Sequence, residues 1–558
     1  MKLGKRISII WIAASLFTLS ACTDLSENLY STLSEDNIDF TSEQDISRLT
    51  GYVYNELRYV YWGWNGYFDI MEESSDLLMT PLRVGVGWGD LYISMHKHDF
   101  NPYIDHFWTI WNYSYAGIGY ANKLLDIEQI QENPFQSAKI RTMRALYYYI
   151  LFDCFRNIPL EKTQEVEAGY LPSQADPQEV FDFIVSELQA VKEDLGEDKV
   201  YGHPNKFVAE MILAKMYLNH NAWFPDSSSN EYYELALTEV SDIIDNGGYS
   251  LAANYKDNFL ADLSTNPEII YGIPLDYTYA SHNYLVNKAL IGEGAKAFGY
   301  SGTPWNGSAA IPQFIDTYHQ NDLRLDDTWA NGQQYHYSTG EKLTTNADDQ
   351  GNVDLVYTKR VHSIDNPGAY MLEGYRFIKN EIVEGVDGTY GDDVPFFRLA
   401  DAMFIKAECL LRLGRNQAEA ADLISQVRMR SFESSSDATR SVADLTGGSV
   451  YDYGHREYTN EGATNYDPAA LVATYEGGND IAFGGLLDDL AWEFVGEHHR
   501  RQDLIRFKTG SGLNVYNGKS WFCKDAISDP QLAEEHNIFP IYQDFIDSNI
   551  NMEQNPGY

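Results

Sequence analysis

Four tryptophans stand in turn-rich stretches, where an indole ring would be presented on a loop. Trp88 lies in the glycine-rich run 85–89 (GVGWG), and Trp305 stands between a proline and an Asn-Gly pair. Trp62 and Trp64 flank a glycine. A flat apolar ring can stack on the C–H face of a sugar, while planar polar side chains take its hydroxyl groups. The alternative for each tryptophan is a loop aromatic that packs onto its neighbours.

Two charged residues are candidate partners for such hydroxyl groups. Asp76 precedes Trp88 in the chain, and Arg376 closes the segment 373–376 (EGYR). A carboxylate or a guanidinium can form hydrogen bonds with two neighbouring hydroxyls. The alternative for both residues is a surface salt bridge.

The sequence carries no motif for catalysis or for a bound metal. HExxH, CxxC, G-x-S-x-G, Walker and G-x-G-x-x-G patterns are absent. The adjacent His498 and His499 would point about 100° apart on a helix, so they cannot share a metal ion. Residues 346–357 match a calcium loop only in part, because Tyr357 stands where a bidentate glutamate belongs. We therefore expect no catalytic residue, no metal and no cofactor, although the acidity leaves a structural Ca²⁺ elsewhere open.

The charge balance excludes some classes of partner. The 558 residues include 82 acidic and 40 basic side chains, which gives a formal net charge of −42. Nucleic-acid binding requires a basic surface, and electrostatic docking on anionic lipid does as well. Aromatic residues make up 14% of the chain, which indicates exposed stacking surfaces in addition to a core.

The N-terminus has the pattern of an export signal. Lys2, Lys5 and Arg6 precede the apolar run 7–19, which is too short to span a bilayer as a mature helix. The run closes on 19–22 (LSAC), which resembles the bacterial lipoprotein signal that is cut before an acylated cysteine, here Cys22. The alternative is a plain secretory signal with a chance cysteine. We expect residues 1–21 to be a signal peptide and 22–45 to be a lipid-anchored tether.

The loop tryptophans must be positioned by a helical framework. Apolar residues recur at helical spacing over 46–246, apart from aromatic loops at 60–105, and again over 394–558. Paired helices with alanine at close contacts are typical of tetratricopeptide-like hairpins. The clearest pair is 395–430, with Gly414 at the turn and with Asn416 and Glu419 as a predicted capping box. Residues 247–393 are rich in turn dipeptides and aromatics, which predicts a loop-rich insertion that carries the ligand-binding face.

Several stretches together resemble the SusD/RagB family of outer-membrane nutrient-binding lipoproteins. Beside the signal at Cys22, they are 397–408 (FRLADAMFIKAE), 427–430 (VRMR), 497–507 (EHHRRQDLIRF), 539–541 (FPI) and 554–558 (QNPGY). His498 stands where the family usually has glycine, and Tyr542 where proline is common. Both departures concern local packing.

The resemblance implies a mainly α-helical fold of about four tetratricopeptide-like hairpins. It implies a glycan-binding lipoprotein at the cell surface of the outer membrane, which delivers oligosaccharide or polysaccharide to a TonB-dependent, SusC-like β-barrel transporter and is not an enzyme. Binding aromatics in the corresponding loops of the family put Trp88 and Trp305 first among the candidates. The charged cluster at 497–506 then indicates internal ion pairing.

Two other functions stay open from the residues alone. An exported glycoside hydrolase is one, because 82 acidic residues allow a pair of carboxylates almost anywhere. A helical-repeat scaffold that binds only proteins is the other.

Overall fold

Helices dominate the computed structural model, which describes residues 39–40, 42–83, 86, 88–164, 166–347, 351–365, 368–387, 391–457 and 472–558. The helices of the first half are α1 Glu43–Tyr61, α2 Tyr67–Glu73, α3 Asp90–Lys97, α4 Asp105–Leu125, α5 Glu128–Gln131, α6 Pro134–Phe155, α7 Pro177–Val191, α8 Lys206–Trp223 and α9 Asn230–Asn246. Those of the second half are α10 Leu285–Ala289, α11 Pro312–Ile315, α12 Arg324–Thr328, α13 Leu399–Arg412, α14 Gln417–Arg428, α15 Ser435–Ala438, α16 Val442–Thr446, α17 Gly484–Phe494, α18 Arg500–Arg506, α19 Val515–Gly518, α20 Pro530–Glu535 and α21 Gln543–Asp547. The mainly α-helical fold is thus confirmed.

The strands are short and pair locally. They are β1 Leu78–Met79, β2 Ile269–Ile273, β3 Ala309–Ala310, β4 Trp329–Ala330, β5 Gly332–Gln333, β6 Thr344–Ala347, β7 Gly351–Asp354, β8 Val356–Tyr357, β9 Arg376–Phe377, β10 Val394–Arg398, β11 Gly454–Glu457, β12 Val472–Ala473 and β13 Trp521–Phe522. The pairs β1–β3, β2–β10, β4–β9, β5–β8 and β6–β7 are antiparallel. Strand β11 pairs with β12 antiparallel and with β13 parallel.

The long helices begin at side-chain caps that the sequence supplies. The side chains of Asn133, Asp176, Asn205 and Ser229 each accept a hydrogen bond from a backbone N–H in the first turn of α6, α7, α8 and α9. Proline is the first residue of α6 and of α7, where its missing N–H costs nothing. The helices pack in the order α4, α6, α7, α8, α9, and α9 then packs on α13, which packs on α14. The repeat scaffold therefore resumes after the insertion.

The start of the α13–α14 hairpin differs from the sequence-based prediction. Residues 394–398 are strand β10, bonded to β2 with two register shifts, and the helix begins only at Leu399. Pro395 cannot donate a backbone hydrogen bond, and two consecutive phenylalanines favour extended backbone. Gly414 has φ +66°, as its predicted left-handed cap requires. Asn416 is also left-handed, but its side chain caps nothing, so the predicted capping box is wrong.

A buried network of charges joins the insertion to the scaffold. Arg398 binds Glu268 at 2.9 Å, Glu493 at 2.8 Å and Glu497 at 2.7 Å, and Lys379 of the insertion binds Glu497 at 2.6 Å. All five side chains are almost fully buried. Burial would raise the pKa of Glu493, but Arg430, Arg398 and Arg324 outweigh it and hold that pKa well below its ordinary value. Such a network fixes the geometry of its parts, because separating the charges would leave buried ions unpaired.

The charged residues of the cluster at 497–506 form ion pairs inside the protein, as predicted. Arg500 binds Asp76 at 2.6 Å, Arg501 binds Asp153 at 3.0 Å, and Arg506 binds Glu408 at 2.8 Å. These pairs link α18 to the first part of the chain and to α13.

The insertion has an apolar core of its own, although its strands are short. Val286, Leu290 and Ile291 pack there with buried residues of the strands and of the loops between them: Ala295, Tyr300, Ala330, Leu343, Leu355, Tyr357 and Ile378. This core fixes the segments that carry Glu293 and Trp305.

Residues 50–558 form one compact unit by internal contacts, and residues 1–49 are grouped separately. The signal peptide, Cys22 and residues 23–38 lie outside the described residues, so the lipid anchor and the boundaries at 21 and 45 stay predictions. In the described parts of the chain, no helix is both long and apolar enough to cross a membrane.

Candidate functional site

Trp88 and Trp305 lie at one cavity, although 217 positions separate them in the chain. Its volume is about 610 Å³. The lining comes from three regions: Trp64 after α1; Val86 and Trp88 before α3; and the insertion residues Ile291, Gly292, Glu293, Pro304, Trp305, Asn306 and Met371. A cavity of this size with mostly apolar walls and few polar groups has the character of a ligand site.

The Asn-Gly turn after Trp305 holds the ring of Trp88. The indole Nε1 of Trp88 donates to the carbonyl oxygens of Trp305 and Asn306, both at 3.1 Å. A Cβ at Gly307 would lie only 2.7 Å from the Trp88 ring, so glycine is required there. Asn306 adopts φ +53°, a left-handed conformation that asparagine tolerates better than most residues. The turn residues thus bring two distant tryptophans together.

Further aromatic rings support the tryptophans from behind and from the side. The Trp305 ring lies 5.7 Å from Trp64 edge-to-face and 5.7 Å from Tyr284 in a stacked arrangement. Trp62 contacts Trp64 at 5.9 Å, and Trp88 meets Tyr92 edge-on at 5.5 Å. Trp64, Trp88 and Trp305 are each half-buried. Packing on one side and exposure on the other give the cavity flat apolar surfaces with a fixed orientation.

Asn306 brings an unpaired amide to the cavity. Its side chain is only 5% exposed, and neither Oδ1 nor Nδ2 has a hydrogen-bond partner among the described residues. A buried amide without partners costs free energy, about 1–3 kcal/mol. The Asn-Gly pair had indicated only a turn, and no pattern in the sequence could show that this amide is unpaired.

A buried charge cluster lies behind the turn and stabilises it. The backbone carbonyl of Lys288 accepts a hydrogen bond from the Gly307 N–H at 2.6 Å. The Lys288 ammonium pairs with Asp69 and, at 2.7 Å, with Glu73. Burial raises the pKa of Glu73. Burial would also raise the pKa of Asp69, but Lys288 and His106 outweigh it, so that pKa is lowered.

Asp76 does not belong to the cavity, which corrects the sequence-based prediction. It is fully buried, with Oδ1 bound to Arg500 Nε at 2.6 Å and Oδ2 bound to Arg500 Nη2 at 2.8 Å. The hydroxyl of Tyr453 donates to the same carboxylate at 2.7 Å. The alternative, a surface salt bridge, was correct that Asp76 forms an ion pair, but this pair lies in the core rather than on the surface. Asp76 therefore has no atom left for a ligand.

Arg376 is also corrected, because its side chain is fully buried beneath the cavity wall. Its Nη2 donates to the carbonyl oxygen of Met371 at 2.6 Å, and its guanidinium lies 5.2 Å from the Tyr357 ring centre. Burial lowers the pKa of Arg376 to about 10. Since Met371 lines the cavity, Arg376 positions a wall residue and does not reach the ligand.

Comparison with known proteins identifies relatives over most of the chain. A sequence profile described as the SusD family matches residues 283–558, and one described as starch-binding associating with outer membrane matches residues 37–218. The chain is similar to the starch-binding protein SusD of Bacteroides thetaiotaomicron, with 25% identity over 464 residues, 76% of this chain and 73% of that protein.

Solved structures share the fold at lower sequence identity. A SusD superfamily protein from Parabacteroides distasonis superposes with a TM-score of 0.67 at 18% identity, over 94% of this chain and all of that one. A laminarin-binding SusD-like protein gives a TM-score of 0.64 at 18% identity, over 93% and 100% of the two chains.

Proposed function

The chain belongs to the SusD family, and on that premise we propose that it binds glycan in the cavity between Trp64, Trp88 and Trp305. The proposal includes a place at the outer membrane, with which the matching family is described as associating. It also includes delivery of the bound oligosaccharide or polysaccharide to a TonB-dependent transporter of the SusC kind.

The observation that carries the proposal is the pairing of three half-buried indoles with one unpaired amide. Sugar rings present C–H faces and hydroxyl edges, which match flat aromatic surfaces and a hydrogen-bonding amide. Asn306 can donate through Nδ2 and accept through Oδ1, and a small displacement that exposes these two buried atoms would let one side chain engage two neighbouring hydroxyls. The starch-binding relative and the laminarin-binding structural neighbour are consistent with a glucan as a first candidate ligand.

Reversible binding fits the cavity better than glycoside hydrolysis. Among the described lining residues, Glu293 is the only carboxylate. Most glycoside hydrolases need two carboxyl groups at a defined separation across the scissile bond. We therefore propose that this protein releases its glycan unchanged. Reducing ends that appear when purified protein is incubated with a bound polysaccharide would contradict this.

Affinity electrophoresis with soluble polysaccharides tests the binding site. Native gels with starch or laminarin should retard the wild-type protein, and Trp88→Ala and Trp305→Ala should run as they do in plain gels. Trp223→Ala is the matched control, because Trp223 is also half-buried but lies at a different cavity. If both cavity variants are retarded as strongly as wild type, the assignment of this cavity as the glycan-binding site is wrong. If no polysaccharide of a broad panel retards the wild type, the protein-binding scaffold is favoured instead.

The membrane anchor and the transporter require separate tests. Palmitate labelling of the full-length chain in a bacterial host should depend on Cys22 and disappear in Cys22→Ala. A β-barrel protein of the outer membrane should co-purify with the wild-type lipoprotein after mild detergent extraction. Labelling that persists in Cys22→Ala would contradict the predicted lipid attachment.

A further inference from the structure

Two stacked tyrosine pairs lie side by side across helices α1 and α4. Tyr59 stacks on Tyr113 with ring centres 4.8 Å apart, and Tyr52 stacks on Tyr120 at 5.1 Å. The planes in the two pairs are inclined by only 18° and 22°. Because the residue numbers run in opposite directions, the two helices are antiparallel here and the pairs bridge them like rungs.

The spacing of these pairs is regular. Each helix places its tyrosines seven residues apart, which is nearly two turns and about 10 Å along the axis. Seven residues return to almost the same face of a helix, so the two pairs face the same way. This separation is comparable to the length of two sugar residues in an extended chain.

The tyrosine pairs connect with the cavity through further rings. Tyr59 contacts Trp62 at 6.4 Å, Trp62 contacts Trp64 at 5.9 Å, and Trp64 contacts Trp305 at 5.7 Å. His282 reinforces the junction, 4.7 Å from Tyr59 and 5.1 Å from Trp62. We call the five rings outside the cavity, namely Tyr52, Tyr120, Tyr59, Tyr113 and Trp62, the aromatic track.

Packing of the core does not account for the outer part of the aromatic track. Tyr52 is 57% exposed, Tyr120 is 40% exposed, and Trp108, which meets Tyr113 edge-on at 5.8 Å, is 37% exposed. Exposed aromatic rings that are grouped on one face of a folded protein mark a binding surface. The position of the aromatic track next to the cavity favours a glycan chain as its ligand, because a chain that leaves the cavity past Trp64 meets Trp62 and then the two rungs.

We propose that the aromatic track extends the cavity and takes the sugar residues of a long, neutral glycan that project beyond it. This inference rests on the proposed function and specifies its ligand as an extended polysaccharide chain rather than a short oligosaccharide. A neutral chain is favoured because a net charge of −42 would repel a polyanion. Within each rung the two rings cover one another's inner faces, so a sugar residue would stack through its C–H face on an outer ring face. Each rung then adds affinity only when the chain is long enough to reach it.

Titration calorimetry with oligosaccharides of increasing length tests the track. The probes are malto- and laminari-oligosaccharides: the disaccharide, the tetrasaccharide and the decasaccharide of each series. Wild-type affinity should rise from the tetrasaccharide to the decasaccharide. The double variant Tyr52→Ala/Tyr120→Ala should lower decasaccharide affinity about tenfold, the effect of losing one to two stacking contacts, and should leave the shorter probes unchanged.

The controls separate this inference from the proposed function. Trp305→Ala should weaken every probe that binds, whereas Tyr475→Ala, at an exposed tyrosine off the track, should weaken none. If the double variant binds the decasaccharide as tightly as wild type while Trp305→Ala loses binding, the track is refuted and the cavity stands. If the wild type binds no probe of either series and no polysaccharide of the panel, the proposed function fails and the track with it.

The folded state of the variants is verified by thermal unfolding. Tyr52 is 57% exposed and Tyr120 is 40% exposed, so the removal of this pair should lower the unfolding temperature only slightly. If the double variant instead lost co-purification with an outer-membrane barrel and kept its decasaccharide affinity, the track would be a protein contact, and the inference would be overturned.

Discussion

Replacement of Asn306 by glycine should lower glycan affinity without lowering stability. Asn306 is buried in the cavity wall with φ +53°, and its amide has no partner among the described residues. Glycine accepts the same backbone conformation. Asn306→Gly therefore removes the amide and leaves the turn that holds Trp88 in place.

The expected effects on stability and on affinity have opposite signs. Loss of an unsatisfied buried amide should gain about 1–3 kcal/mol, against about 0.5–1 kcal/mol for the greater freedom of glycine in the unfolded chain. The free energy of unfolding should therefore stay level or rise, by up to about 2.5 kcal/mol. Two lost hydrogen bonds to ligand, at about 0.5–1.5 kcal/mol each, should weaken glycan binding about 5- to 140-fold.

Urea denaturation and calorimetry on the same protein preparation measure both quantities. Asn416→Gly is a matched control, because Asn416 is also left-handed, at φ +47°, but is exposed and caps nothing. That variant should bind glycan as wild type does. If Asn306→Gly bound glycan with wild-type affinity, the amide would not be a ligand contact. If it lost more than about 2 kcal/mol of stability, the amide would have a structural role and the reasoning would fail.

Three further predictions concern the supports of the site. Arg398→Met should lower the free energy of unfolding, measured by urea denaturation, by about 3–5 kcal/mol, because it leaves buried carboxylates without their counter-ion. A loss below about 1 kcal/mol would contradict the role given to the network. Burial would raise the pKa of Glu408, but Arg506 and Arg412 outweigh it and lower that pKa from 4.5 to about 2. The ionised Glu408 side chain should therefore contribute at most about 3 kcal/mol to the free energy of unfolding. This contribution should be present above pH 4.5 and be lost as the pH falls toward 2. Urea midpoints against pH should therefore fall less steeply in Glu408→Gln than in wild type, and parallel curves would refute the assignment. Trp88→Phe keeps a ring but loses the hydrogen bonds to the turn. Trp88→Ala should weaken glycan binding about tenfold in a titration, and Trp88→Phe should weaken it by less. Equal losses in the two variants would show that the indole N–H, not the stacking face, carries the effect.

Local patterns in the sequence predicted the elements well where short-range physics decides them. The apolar spacing of 399–428 predicted a helical hairpin, and Gly414 marked its left-handed turn. Glycine and proline around Trp88 and Trp305 indicated rings presented on loops, and both rings line the cavity half-buried. These inferences depend on backbone conformation and on periodicity, which a few neighbouring residues determine.

Burial and pairing depended on residues far apart in the chain. Asp76 seemed a plausible surface carboxylate from its neighbours alone, yet Arg500, more than four hundred positions later, takes both of its oxygens in the core. Residues 395–398 were predicted as the start of a helix, but they belong to a strand that pairs with β2, a distant segment of the chain. Local sequence patterns do not show which distant side chain will pair with a given charge. Such a pairing determines whether the charge is available to a ligand.

The sequence by itself determined a helical repeat scaffold, an aromatic-rich insertion, an acidic surface and the presence of tryptophans on loops. The tertiary structure alone decided that Trp64, Trp88 and Trp305 share one cavity, that Asn306 brings an unpaired amide to it, and that tyrosines of α1 and α4 stack in pairs. The physical reason is that conformation follows from local propensity, whereas a binding site is a set of contacts between segments that only the packed core brings together.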